Sequence, residues 1–133
     1  MDFVVSARTD DLCSQMWEFM RTCILPAEPV YDQWRARRGY TDHSLPPVME
    51  DLKREARSRG LWNLFHPELS GLTNVEYASI AEITGWSPYL APEAINCAAP
   101  DTGNMETLML FGTPQQKADW LDPLLDGRIR SGF

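Results

Sequence analysis

Helix-start signals recur along this sequence and constrain its fold more than any other feature. Thr73 and Glu76 form a capping box, in which each side chain satisfies a backbone N–H group at the start of a helix. A second box pairs Thr113 with Gln116 and places Pro114 at the first helical position, where its missing N–H group does no harm. The second half of the chain is therefore predicted to be helical.

The first half of the chain carries an apolar stripe with the period of an α-helix. Thr9 is predicted to cap a helix over residues 10–24, which Pro26 and Pro29 interrupt. A further helical stretch over residues 28–37 is expected to continue it after a kink. A further helix is expected between Ser44 and Gly60. The apolar positions of the first helix repeat at intervals of three and four residues, as one buried face requires: Leu12, Met16, Phe19, Met20, Cys23 and Ile24.

The remaining segments complete a helical chain. Residues 61–72 are interpreted as a buried loop, and a short helix is expected after Ser87. Asp101 is predicted to cap a helix that stops at Gly112, and Asp122–Pro123 together with Gly127 is predicted to end the last one. The sequence thus predicts an all-α, up-and-down bundle of about six helices over residues 1–127, with a β-strand beginning at residue 128.

Composition excludes several classes of function. The net charge of −7 and the pI near 4.7 argue against a nucleic-acid-binding protein, which needs general positive charge to displace counterions. The sequence has no apolar run of about 18 residues, so no membrane span is expected. Three cysteines without a clustered motif are typical of a reducing compartment, and a cytoplasmic location is predicted.

No local motif supplies catalytic chemistry. The two histidines, His43 and His66, stand in no recognisable nucleophile or metal motif, and the sequence has neither a Walker loop nor a GxGxxG pattern. The Met- and Leu-rich run over residues 105–111 allows two interpretations, an apolar pocket for an acyl chain or ordinary core. No catalytic residue and no metal ligand are predicted.

A basic cluster also has two interpretations. It could attract a phosphorylated ligand such as a coenzyme A tail. However, Glu50 and Glu55 precede two of its arginines by four residues, which is the spacing of surface ion pairs, so a solvated charged face is favoured. The cluster consists of Lys53, Arg54, Arg57 and Arg59.

Two long segments resemble the acyl-CoA dehydrogenase family. One is APDTGNMETLMLFGTPQQKADWLDPLLDGRIRSGF, residues 99–133, and the other is GLWNLFHPELSGLTNVEYASIAEITGWSP, residues 60–88. The resemblance implies that residues 1–127 form the N-terminal helical domain of a three-part enzyme. Residues 128–133 would then be the first strand of a middle β-domain that this sequence lacks.

The resemblance also implies a function. Family members are FAD-dependent flavoproteins of fatty acid metabolism that remove hydrogens from the α and β carbons of an acyl-CoA thioester. They are commonly homo-oligomers that pass electrons to an electron-transfer flavoprotein. The catalytic glutamate of the family has no counterpart here, so this chain alone is expected to be catalytically incomplete and not to retain FAD.

The helical domain of the family forms one wall of the acyl pocket. Phe133 matches the aromatic residue that begins the flavin-contacting segment of the family, so the resemblance implies that Phe133 binds the cofactor. The alternative to an enzyme fragment is a free-standing, non-catalytic helical module that binds a partner protein or an acyl group. The residues that match the substrate wall by position are Asp101, Thr102, Gly103, Asn104 and Met105.

Overall fold

A computed structural model describes residues 6–39 and 41–132, and every regular element in this part of the chain is helical. Two π turns, Met20–Ile24 and Lys117–Leu121, join neighbouring helices into continuous ones, which confirms the all-α prediction. The bounds are α1 Ala7–Phe19, α2 Leu25–Arg38, α3 Val48–Ser58, α4 Pro67–Ser70, α5 Asn74–Thr84, α6 Ala91–Ala94, α7 Asp101–Phe111, α8 Pro114–Gln116 and α9 Asp122–Leu125.

Each π turn lies directly before a proline-containing helix start. Pro26 and Pro123 each occupy the second position of the helix that follows. Proline has no N–H group, and its ring crowds the carbonyl one α-turn earlier, so a wider turn with bonds spanning five residues accommodates it. The N–H of Leu25 accordingly donates to the carbonyl of Met20. The predicted interruption at Pro26 is therefore wrong, whereas the expected helix over residues 28–37 lies within α2. Asp122–Pro123 does not end the last helix, which ends at Leu125, shortly before Gly127 as predicted.

The start of α1 differs from the prediction in a way that involves another helix. Ser6, not Thr9, is the cap, because its Oγ accepts a hydrogen bond from the Thr9 N–H at 3.2 Å. Thr9 is instead buried, and its hydroxyl donates to Glu76 Oε1 at 3.1 Å. Both predicted capping boxes, Thr73 with Glu76 and Thr113 with Gln116, are confirmed.

The described residues form one main apolar core and a smaller one. The main core draws on the continuous helix of α1, the first π turn and α2, on α3, α5 and α6, and on residues 61–72, whose Leu61, Leu64 and Leu72 are buried. The segment 61–72 is thus largely the buried loop that was predicted, with the single turn α4 inside it. The smaller core consists of Met105, Leu121 and Leu124, and it belongs to α7 and the last helix.

Polar side chains attach the last helix to the main body. A helix end leaves carbonyl groups without partners. Here the carbonyl of Leu125 accepts from Trp62 Nε1 at 2.8 Å and from Asn63 Nδ2 at 3.0 Å, and the carbonyl of Leu124 accepts from Asn96 Nδ2 at 3.0 Å. These bonds fix where α9 ends and where the following segment begins.

The expected β-strand is not formed in the described segment 128–132. Gly127 has a φ of +64°, the chain bends at residues 128–129, and the rest of the segment lies along α7. A strand needs a neighbouring strand for its backbone hydrogen bonds, whereas the N–H of Ser131 donates to the carboxylate of Asp101. Phe133 lies outside the described residues. The assignment of residues 128–133 to a further domain stays a prediction.

Candidate functional site

A groove of about 470 Å³ lies between α7, the last helix and the segment 128–132. Its apolar side chains come from all three parts, and its polar ones from α7 and the C-terminal segment. This mixture suits a ligand with an apolar body and a few polar atoms. The lining residues are Asn104, Thr107, Leu108, Trp120, Leu124, Ile129, Arg130, Ser131 and Gly132.

The Met- and Leu-rich run divides between the two interpretations that its sequence allowed. Met105 is fully buried in the smaller core, and Leu108 lines the groove. Leu110 and Phe111 are exposed. The run therefore combines core residues, a groove residue and solvent-facing residues, and Met109 is half-buried against the smaller core.

The structure brings only one of the five predicted substrate-facing residues to the groove. Asn104 lines it, whereas Asp101 and Met105 are buried behind it. Thr102 is half-buried and Gly103 is exposed, and neither lines the groove. Contact of these residues with a substrate stays a prediction.

Asp101 has a different role from the predicted cap. The residue before it, Pro100, occupies the cap position of α7 without a side-chain hydrogen bond. The Asp101 carboxylate points to the C-terminal segment instead, where its Oδ1 accepts from the Ser131 N–H at 2.7 Å and from the Ser131 hydroxyl at 2.6 Å. Asn104 Nδ2 donates to the same hydroxyl at 2.8 Å.

A chain of charges continues from Asp101 into the main body. Arg130 lies between two carboxylates, with its Nε 2.9 Å from Asp101 Oδ2 and its Nη2 2.7 Å from Glu93 Oε2. Lys53 Nζ lies 3.2 Å from Glu93 Oε1. Lys53 was predicted to belong to a solvated face, and that prediction is wrong because its side chain is buried against Glu93.

The other members of the basic cluster are engaged within the chain. Arg59 pairs with Glu55 at 2.8 Å, as the spacing predicted, but Arg54 pairs with Asp51 and not with Glu50. The guanidinium of Arg57 lies 3.5 Å from the ring centre of Trp62 and donates to the carbonyl of Asp126. These contacts favour the ion-pair interpretation for Arg54 and Arg59 over a phosphate site.

The candidate acid–base and nucleophilic groups have structural roles. His66 is buried, and its Nδ1 accepts from the N–H of Glu68 at the start of α4. His43 is exposed. Burial raises the pKa of the Cys97 thiol to about 11, so this thiol stays protonated at neutral pH and is a poor nucleophile. None of these three residues lines the groove.

Sequence reasoning missed the residues that connect the groove to the core. Arg130 and Ser131 were interpreted as part of a strand, and Glu93 carried no local signal. Their partners are distant in sequence: Ser131 forms a hydrogen bond with Asp101, and Arg130 forms an ion pair with Glu93. Only an unusual pairing of charges in three dimensions identifies them.

In the described part of the chain, no helix is long and apolar enough to cross a bilayer, and no cluster of three or more side chains suits a metal ion.

Comparisons with known proteins point to one family over nearly the whole chain. A family model described as acyl-CoA dehydrogenase, N-terminal domain, matches residues 9–128. The probable acyl-CoA dehydrogenase FadE2 of Mycobacterium tuberculosis is 57% identical over 133 residues, which are 100% of this chain and 33% of that protein. Acyl-CoA dehydrogenase family member 11 of Gallus gallus is 46% identical over 133 residues, covering 98% of this chain and 17% of that protein.

A solved structure has the same fold. A chain from Mycobacterium abscessus, whose description names an acyl-CoA dehydrogenase, superposes with a TM-score of 0.84 at 42% sequence identity. The superposition covers 96% of this chain and 33% of the other. The present chain therefore spans about a third or less of the length of these relatives.

Proposed function

This chain belongs to the acyl-CoA dehydrogenase family through its N-terminal domain, and we propose that it is the helical part of an FAD-dependent enzyme that dehydrogenates an acyl-CoA thioester. In this proposal the chain supplies one wall of the acyl pocket. The location is proposed to be cytoplasmic, the assembly a homo-oligomer, and the electron acceptor an electron-transfer flavoprotein.

The observation that carries the pocket proposal is the groove beside α7. Leu108, Leu124 and Ile129 give it apolar walls, which an acyl chain can enter with release of ordered water. Asn104 and Ser131 add polar atoms at one side, where a thioester or a polar substituent could be oriented. The groove is formed by three elements, so the folded domain and not a single motif creates it.

The chain's own contribution is to bind and orient. The groove is lined by no carboxylate, histidine or cysteine, so the described residues place no general base beside a bound chain. When bound, the flavin of this family accepts the hydride. The residue proposed to approach it is Phe133, which lies outside the described residues, so this contact rests on the resemblance alone. The proton-abstracting glutamate is proposed to reside in polypeptide outside this sequence.

A groove-filling substitution tests the pocket proposal in the longer protein that is proposed to contain this chain. Leu108→Trp adds a bulky ring within the groove, whereas Leu69→Trp makes the same kind of change at an exposed position of α4. We expect Leu108→Trp to raise the KM for acyl-CoA by about tenfold or more, and Leu69→Trp to leave it within about twofold. Equal KM values for the two variants would contradict the pocket role.

The reading frame after Phe133 distinguishes the enzyme from its alternative. Continuation in frame into an Ala-x-Thr-Glu-Pro segment supports the dehydrogenase. A stop codon at that point supports the free-standing module that binds a partner protein or an acyl group.

A further inference from the structure

Four charged side chains from separate parts of the fold form a connected set beside the groove. Lys53 is on α3, Glu93 on α6, Asp101 on α7 and Arg130 in the C-terminal segment. Their order in space is Lys53, Glu93, Arg130, Asp101, so positive and negative charges alternate. Together with Ser131, which bonds Asp101, they are called the Arg130 network below.

The side chains of the network are more buried than those of an ordinary surface ion pair. The side chains of Lys53, Glu93 and Asp101 are 8%, 8% and 1% exposed, and that of Arg130 is 35% exposed. A buried charge without a partner is strongly unfavourable, whereas a set that sums to zero is tolerated. The two cations and two anions of the network meet that condition, and the exposed carboxylate of Glu50 also lies 3.3 Å from Lys53 Nζ. Removing Asp101 or Arg130 leaves the buried charge of the other without its ion-pair partner in this pair.

Two carboxylate oxygens of the network have a neighbouring cation but no hydrogen-bond donor in the described part of the chain. Glu93 Oε1 and Asp101 Oδ2 are buried and have no hydrogen-bond donor among the described residues. They lie 3.2 Å from Lys53 Nζ and 2.9 Å from Arg130 Nε respectively, close enough for charge attraction without hydrogen-bond alignment. The negative charge of Asp101 is therefore balanced by a neighbouring cation only while Arg130 stays in place. This makes the docking of the C-terminal segment and the burial of Asp101 mutually dependent.

The network fixes the part of the chain that closes the groove. Arg130 is held by two carboxylates, and Ser131 is held by Asp101 and Asn104 through its backbone N–H and its hydroxyl. The same two residues, with Ile129 and Gly132, form one side of the groove. The position of this groove wall therefore depends on the buried carboxylates that hold it, Asp101 and Glu93.

We propose that Asp101 and Glu93 are positioning residues that set the shape of the groove by holding Arg130 and Ser131. Asp101 acts from behind the groove and does not contact the ligand, in contrast to the substrate-facing role that its place in the sequence suggested. The claim about the segment 128–132 stands on the structure of this chain, and the claim about acyl-CoA rests on the proposed function.

Amide hydrogen exchange of this chain tests the positioning role directly. Asp101→Asn removes the charge that holds Arg130, and Glu106→Gln is the matched control, because it removes an exposed carboxylate from the same helix. We expect the Ser131 amide to exchange at least about tenfold faster in Asp101→Asn, with the amides of Ile80 and Ile83 in the main core unchanged. Glu106→Gln should change neither.

Two results would overturn the proposal. One is unchanged protection at Ser131 in Asp101→Asn, and the other is an equal loss of protection at Ser131, Ile80 and Ile83, which would indicate a general effect on stability. Should Asp101→Asn not fold, Ser131→Ala keeps all four charges and removes only the hydroxyl contacts. It should accelerate exchange at residues 131 and 132 and leave the core amides unchanged.

Kinetics of the longer enzyme extend the test to function. Because a positioning residue shapes the groove and does not transfer a proton, Asp101→Asn should raise the KM for acyl-CoA by about tenfold, with kcat within about twofold and an unchanged pH–rate profile. An unchanged KM despite a loosened Ser131 would refute the functional part. A wild-type protein without dehydrogenase activity would instead refute the proposed function and leave the exchange result standing.

Discussion

Glu76 connects the start of α5 to the start of α1 by hydrogen bonds. Its Oε2 accepts from the Thr73 N–H at 2.9 Å, and its Oε1 accepts from the hydroxyls of Ser6 at 2.7 Å and Thr9 at 3.1 Å. Hydrogen bonds from the Thr73 backbone, and then from Ser6, Thr73 and Thr9, lower the pKa of this carboxyl from 4.5 to about 2. The box within α5 was predictable because it is local. The link to α1 was not, because it joins residues about 70 positions apart.

The lowered pKa of Glu76 predicts how stability depends on acid. Between pH 4.5 and about 2 the unfolded chain binds a proton at this residue and the folded chain does not, so the free energy of unfolding should fall as pH decreases through that range. Glu76→Gln should reduce the slope of the free energy of unfolding against pH below 4.5, as measured by urea unfolding at a series of pH values. Glu82→Gln, exposed on the same helix, should retain the wild-type slope. Identical slopes for all three proteins would contradict the assignment.

Gly127 is required by both its backbone and its neighbour. Its φ is +64°, and a Cβ atom there would lie 2.8 Å from Trp62 Cζ2. Gly127→Ala should therefore lower the free energy of unfolding by about 1–3 kcal/mol. Gly103 offers a control of opposite sign, because it lies inside α7 with nothing within 4 Å of a Cβ, and Gly103→Ala should stabilise by about 0.5–1 kcal/mol. Chemical denaturation measures both, and a Gly127→Ala protein as stable as wild type would refute the argument.

At the scale of elements, the sequence predicted helices better than their ends. Caps and apolar periodicity are local, so α1, α3, α5 and α7 were expected close to where they lie. The π turns were not expected, because a proline within a helical pattern is equally consistent with a break or with a widened turn. The strand predicted from residue 128 failed for a similar reason, since alternation cannot reveal whether a neighbouring strand is present.

Asn96 tests how the last helix is attached. It is buried, and its Nδ2 donates to the carbonyl of Leu124 and, at 2.7 Å, to Asn63 Oδ1. Asn96→Ala should leave these acceptors short of a donor and lower the free energy of unfolding by about 1–3 kcal/mol, as measured by urea denaturation. Asn74→Ala, exposed at the start of α5, should change it by less than about 0.5 kcal/mol. A loss no larger than that of the control would mean that water replaces the Asn96 contacts.

At the scale of the whole molecule, large apolar side chains remain exposed on α7 and on the π turn that packs against it. Phe111 is 80% exposed at the end of α7, and Trp120 is 58% exposed in the π turn that packs against this helix. Clustered exposed apolar residues mark surfaces that contact another chain or domain. Their presence is consistent with the proposal that the domain packs against further polypeptide in a longer protein.

This surface predicts self-association of the chain in isolation. Dimers or larger species should appear as concentration rises, because the apolar surface near Phe111 is then covered by another copy. Phe111→Asp should shift the molar mass measured by light scattering toward the monomer. Val75→Asp, which changes an exposed apolar residue of α5, should not. A monomer at all concentrations would contradict this prediction.

The sequence therefore predicted the fold class, and through resemblance the family, but only part of the candidate site. Of the five residues predicted to face the substrate, Asn104 lines the groove and its contact with a substrate stays a prediction, whereas Arg130, Ser131 and Glu93 required the folded structure. Their contacts join α6, α7 and the C-terminal segment, and no periodicity or capping rule reports such contacts.

The central proposal is that this chain shapes an acyl-binding wall and that the reacting groups lie on other polypeptide of a longer protein. The most direct test is to purify the 133-residue chain and the longer protein that is proposed to contain it, and to measure bound flavin and acyl-CoA-dependent reduction of an electron acceptor in both. The account predicts stoichiometric FAD and turnover in the longer protein and neither in this chain alone. Flavin-dependent oxidation of an acyl-CoA by the isolated chain would contradict it.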